Sequence, residues 1–209
     1  MGNRACLTVV VLALLLAALP CAADDGKVEE PATGISFQTA GPDGMVLLGV
    51  GVRKKMVFNV YAAALYVDAA ALARETEHST AAERVNKAVW TGWVPRVMLM
   101  HFVRDVPADK VREAFRESLA NNMTVEDFNA EKAGIEEFLN GVSDVKKGEV
   151  FTFRSSGEDM RILQGKKEIF NRSGRKLMAG MWGSWFGKKP ICPKLKKDLI
   201  SRAAEVLGR

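Results

Sequence analysis

Apolar residues in the first half of the chain gather in short runs of Val, Leu, Phe and Tyr, bounded by turn residues. This pattern predicts strands at Ile35–Thr39, Met45–Val52 and Val57–Val67, with Pro42-Asp43-Gly44 as the turn of a hairpin between the first two. Short helices follow at Ala69–Thr76 and Thr80–Asn86, then strands at Ala88–Trp93 and Arg96–Arg104, separated by Val94-Pro95. In the latter, Met98, Met100 and Phe102 alternate with Val97, Leu99, His101 and Val103, as in a strand buried on both faces. Beyond Pro107 the spacing becomes helical: Val111, Phe115, Ser118 and Leu119 form one stripe of a helix over Pro107–Ala120. A second helix over Thr124–Asn140 begins with an N-cap threonine and an acidic first turn, and Gly141 stops it. Val150–Phe153 and Met160–Leu163 read as a hairpin. Helices over Ser173–Trp185 and Pro193–Leu207 close the chain. Strands, then helices, a hairpin and helices indicate an α+β fold, an antiparallel β-sheet packed against a layer of helices.

The N-terminus has a different pattern. Arg4, the apolar Cys6–Leu19 and the small residues up to Ala23 have the form of a cleaved signal peptide, residues 1–23. Export to a periplasm, a secretory lumen or the extracellular space follows from it as an expectation. Residues 24–33 read as a disordered, polar lead-in, and 34–209 as one domain. Without Arg4, 29 of the 30 Lys and Arg remain against 25 acidic residues, a net charge of +4. That is basic but modest, and gives no reason to invoke nucleic acid. Among the last 22 residues, Lys188, Lys189, Lys194, Lys196, Lys197, Arg202 and Arg209, against Asp198 and Glu205, form either a solvated face or a contact for an anionic membrane surface. No apolar run of roughly 18 residues occurs beyond Asp25, too little for a membrane-spanning helix. Cys192 is the one cysteine beyond the signal segment, so no internal disulfide is expected, and the thiol reads as buried and inert.

Candidate chemistry is sparse. His78 and His101 are the two histidines, and no zinc, nucleophile-elbow or phosphate-loop pattern is present. Neither a metal nor a cofactor is expected. Gly49-Val50-Gly51 lacks the spacing of a dinucleotide loop.

The stretch Leu48-Gly49-Val50-Gly51-Val52-Arg53, leading into Tyr61-Ala62-Ala63-Ala64-Leu65-Tyr66-Val67-Asp68, resembles the chalcone isomerase fold family. Arg104-Asp105-Val106, Lys110–Phe115, Gly157–Met160 and Ser184–Pro190 continue the likeness in order, over roughly Gly34 to Leu207. The resemblance implies that Arg53 faces a ligand cleft and holds an anionic oxygen. Tyr61 falls where isomerases carry a threonine and fatty-acid-binding members carry a tyrosine that assists the arginine. The isomerases' second tyrosine would fall near Pro107 and their asparagine near Ala114. Ser184 matches a serine or threonine common in isomerases.

The residues thus keep an anion-holding arginine and lack the polar set that activates a chalcone. A fixed guanidinium fork with a phenol beside it suits a carboxylate. The expectation is a binder of a fatty acid or similar amphipathic carboxylate, with Arg53, Tyr61 and Ser184 at the ligand and the tail between sheet and helices. Three alternatives stand beside it: a chalcone isomerase-type lyase, a haem binder through His101, and an interaction protein with a closed cleft.

Overall fold

A computed structural model describes residues 26–208. Residues 1–23, expected to be a signal peptide, lie outside the described residues.

Six strands pair in chain order into one antiparallel sheet: β3 (Val46–Lys55), β4 (Phe58–Val67), β5 (Arg96–Phe102), β6 (Val150–Ser156), β7 (Asp159–Gln164) and β8 (Lys167–Ser173). Two-residue turns at Met56-Val57, Gly157-Glu158 and Gly165-Lys166 join three of the pairs. The other two gaps hold helices: α1 (Ala69–Thr76) and α2 (Ala82–Thr91), then α3 (Ala108–Asn122), α4 (Val125–Ala130) and α5 (Lys132–Gly141). After β8 come α6 (Arg175–Phe186), α7 (Pro193–Asp198) and α8 (Ala203–Val206). This is the α+β arrangement expected from the hydrophobic pattern.

The β3–β5 part of the sheet is apolar on both faces, which is why β4 reads as a continuous hydrophobic run, while β6, β7 and β8 leave one face polar. Tyr61, Ala63, Leu65 and Val67 of β4, with Met98, Met100 and Phe102 of β5, join the main core with the helices. Ala62, Ala64 and Tyr66, with Val97, Leu47 and Phe37, form a second core on the opposite face. That face is covered by a small sheet of β1 (Lys27–Glu30) and β2 (Ile35–Gln38). Residues 27–30, part of the expected disordered lead-in, are therefore a paired strand. The expected hairpin between the first two strands is also revised: β2 pairs with β1, and Pro42–Gly44 is a 3₁₀ turn carrying the chain to the large sheet through the Ala40–Val46 bridge. An apolar face left uncovered on the sheet is what draws the polar lead-in into structure.

Ala88–Trp93, expected as a strand, is mostly the second half of α2. Val85, Ala88 and Val89 are its buried side, at the i, i+3, i+4 spacing of a helix. Trp90 donates to the Ala179 carbonyl of α6 at 2.9 Å, fixing the helix there. β8 was not foreseen, its buried Ile169 and Phe170 being flanked by polar residues. The single helix expected over Thr124–Asn140 is two, with Thr124 capping the first by accepting from Asp127 N. The expected terminal helix is α7 and α8, parted where Arg202 N donates to the Leu48 carbonyl of β3 at 2.9 Å.

That contact explains the two glycines of β3. A Cβ at Gly49 would lie 2.3 Å from the Asp198 carbonyl oxygen, and one at Gly51 2.7 Å from Asp198 Cβ. They let α7 lie directly on the strand backbone.

Candidate functional site

Arg53 stands near the end of β3, opposite Tyr61 in the β3–β4 register. A β-bulge between Arg53 and Lys54 sets this pairing, and its guanidinium carbon lies 5.9 Å from the Tyr61 ring centroid. Tyr61 is 2% exposed, and its hydroxyl accepts a hydrogen bond from Trp185 Nε1 of α6 at 3.0 Å. Burial pushes the Tyr61 phenol above its ordinary pKa, against the opposing pull of Arg53 and the Trp185 bond. The phenol therefore stays protonated near neutrality, and its own O–H remains a donor. Arg53 is half-buried, and its Nε is buried with no hydrogen-bond partner.

Three cavities share Arg53, Lys110 and Ala114 in their walls. The innermost, about 30 Å³, is bounded by Tyr61, Phe102, Phe115 and Ile191 and has room for roughly one water. A second, about 240 Å³, runs outward along Met56, Phe58, Val60, Val106 and Pro107. A third, about 320 Å³, is more polar and reaches Glu117, Asn121 and Lys189. The third reaches the lower end of the size range of small-molecule sites, and the second falls a little below it. The space between sheet and helices behind Tyr61 is filled by Phe102, Phe115, Phe151, Phe153 and Trp185, whose paired rings lie at centroid distances of 5.0–6.5 Å. A tail in that layer, as expected from the sequence, needs these rings to move. The open apolar route is the second cavity.

The charge at this junction is positive and partly spent. Lys110 pairs with Glu113 at 3.0 Å, and Asp105 is held by Lys147 N–H and by Lys146 at 3.5 Å. The Lys147 bond leads in lowering the Asp105 pKa, with Lys146 adding to it. Among the described residues, Arg53 and Lys55 form no salt bridge.

Of the expected ligand residues, the structure brings Arg53 and Tyr61 together and leaves Ser184 elsewhere. Ser184 is fully buried in α6, its Oγ without a partner and its carbonyl accepting from Ile191 N at 2.8 Å. It lines none of the three cavities. Its neighbour Trp185 reaches the site instead. Pro107 and Ala114, the positions matched to isomerase tyrosine and asparagine, both line the cleft. Lys110 was missed as a site residue, although it lies on the helix whose start the sequence marks. His101 is half-buried on β5 opposite Ala62, on the face turned away from the helices, and lines none of these cavities. No cluster of metal-ligating side chains occurs among the described residues. Cys192 is half-buried rather than fully buried, packed against the core at the start of α7.

Comparison with known proteins agrees with this fold. No curated protein matches the sequence. Among solved structures, the fatty-acid binding protein AtFAP1 of Arabidopsis thaliana superposes with a TM-score of 0.72 at 17% identity, over 88% of this chain and all of that one. At that identity the likeness establishes the fold. The chalcone isomerase-like family model matches residues 33–201, nearly the whole of the described chain, and the protein belongs to that family.

Proposed function

We propose that this protein binds an amphipathic carboxylate, a fatty acid or a close analogue, without catalysing its conversion. The observation that carries the reading is the guanidinium of Arg53: half-buried, without a carboxylate partner, in a wall common to three cavities, with the Tyr61 phenol beside it. A cation held this way favours an anion that brings its own charge into the cleft. Lys55 and Lys110 add to the attraction. The apolar wall of Met56, Phe58, Val60, Val106 and Pro107 then suits an alkyl tail, each buried methylene contributing about 0.8 kcal/mol. Proline and alanine at the positions matched to isomerase polar residues argue against proton transfer there, because neither side chain can donate or accept a proton. The fatty-acid binding description of AtFAP1 supports the ligand class.

The test is titration of the purified protein with a fluorescent fatty acid, beside native mass spectrometry of protein from cells. Saturable binding that weakens in Arg53→Ala supports the reading. Turnover of 2′-hydroxychalcone, or fatty-acid binding equal in the variant, overturns it.

A further inference from the structure

The β3–β4 hairpin ends in an unusual tip. Met56 is 89% exposed, Val57 83% and Phe58 55%, three consecutive large apolar residues in water at the end of two ten-residue strands. Two-residue hairpin turns favour Asn and Gly, because a central residue must adopt positive φ. Here Met56 adopts φ +54° itself, so the chain accepts an unfavourable turn residue and an exposed apolar one at the same position.

The surroundings are cationic. Lys54 and Lys55 precede the tip, and Arg104 lies over the Phe58 ring at 4.6 Å. Among the described residues none of these three forms a salt bridge. The C-terminal basic run is spent in part, although Lys188, Lys189 and Lys197 form no salt bridge among the described residues. Lys196 donates to the Phe186 and Gly187 carbonyls at 2.8 and 2.9 Å, closing the end of α6, while Lys194 pairs with Asp198 and Arg202 with Glu205. The unspent positive charge at this end of the molecule surrounds the apolar tip.

We infer that this tip docks the protein on an anionic lipid bilayer, with Met56, Val57 and Phe58 entering the interface and Lys54, Lys55 and Arg104 meeting lipid head groups. Apolar side chains projecting from a cationic collar are complementary to a bilayer surface in both polarity and charge. The same residues border the 240 Å³ cavity, which includes Lys55, Met56, Phe58 and Arg104 in its wall. Docking by the tip therefore brings the cavity mouth to the bilayer, although the docking itself does not depend on any bound carboxylate. No described helix is long and apolar enough to cross a membrane, which suits attachment at the surface.

Flotation with phosphatidylcholine vesicles, with and without phosphatidylglycerol, tests this in the chain lacking residues 1–23 and loaded with no ligand. The wild type is expected to float with the anionic vesicles and to dissociate as salt rises. Met56→Gly with Val57→Asn puts glycine at the one turn position of positive φ, so its thermal midpoint should equal or exceed the wild type's while partition falls roughly tenfold or more. Lys54→Gln with Lys55→Gln should lower partition roughly fivefold per charge. Absence of wild-type binding, equal binding to neutral vesicles, or binding unchanged in the folded tip variant overturns the proposal.

Discussion

Arg53→Met separates a binding residue from a structural one. Methionine keeps the apolar stem and removes the charge. In the free protein the guanidinium has little to lose: it has no carboxylate partner among the described residues, its Nε is buried without a hydrogen bond, and it lies 5.9 Å from the Tyr61 ring. A cation–π contact near that limit is worth about 0.5–1 kcal/mol, and removing a poorly satisfied polar group returns an amount of similar size. The folded state should therefore change by less than about 1 kcal/mol, a shift of roughly 2–4 °C at most for a domain of this length. A ligand carboxylate, by contrast, loses a charge-assisted hydrogen bond worth about 1.5–3 kcal/mol, so affinity should fall roughly ten- to a hundredfold. Thermal unfolding followed by circular dichroism and titration with a fluorescent fatty acid read the two quantities independently. A large fall in melting temperature with affinity preserved would refute the reasoning, because it would make Arg53 a structural cation.

Other substitutions probe the supports of the site and fold. Tyr61→Phe leaves the buried Trp185 Nε1 without an acceptor and should cost about 1–3 kcal/mol in urea unfolding; a neutral result would deny the 3.0 Å bond. Arg96 is buried and donates to the Trp90, Gly92 and Val94 carbonyls, and Arg96→Met should destabilise by about 2–4 kcal/mol in the same assay. Gly49→Ala forces a Cβ into the Asp198 carbonyl and should cost about 1–3 kcal/mol, with increased proteolysis of the C-terminal segment. Burial raises the Tyr66 phenol from 10.0 to about 12, so the folded state binds the extra proton between those values and stability falls as pH rises through them. Urea midpoints at pH 8 and pH 11 should therefore differ less in Tyr66→Phe than in the wild type.

The fold was legible where burial is periodic. The stripe of α3 and the two-sided strand β5 follow directly from the spacing of their apolar residues. Elements that depend on distant partners were not legible. β1 has a polar sequence and forms because the outer face of the large sheet needs a cover. The second half of α2 looks β-like until Val85, Ala88 and Val89 are counted at helical spacing against α6. Gly49-Val50-Gly51 lacks the spacing of a dinucleotide loop, and the reason for its glycines is α7, with Asp198 and Leu199 lying against the strand.

The candidate site turns on a subtler feature. Counting outward from the Met56-Val57 turn, Lys55 faces Phe58 and Lys54 faces Asn59, so uninterrupted pairing would set Arg53 opposite Val60. The bulge gives β4 one extra residue at that point and brings Tyr61 opposite Arg53 instead. Tyr61 shares the helix-side face of Ala63 and Leu65, within reach of Trp185, so this single irregularity decides whether Arg53 stands opposite Tyr61 or opposite Val60. Arg53 and Tyr61 can both be named from the sequence, but only the resemblance joins them there. Hydrophobic alternation alone pairs the arginine with a valine, and a clamp made of guanidinium and phenol exists only because the ladder is broken between them and the turn.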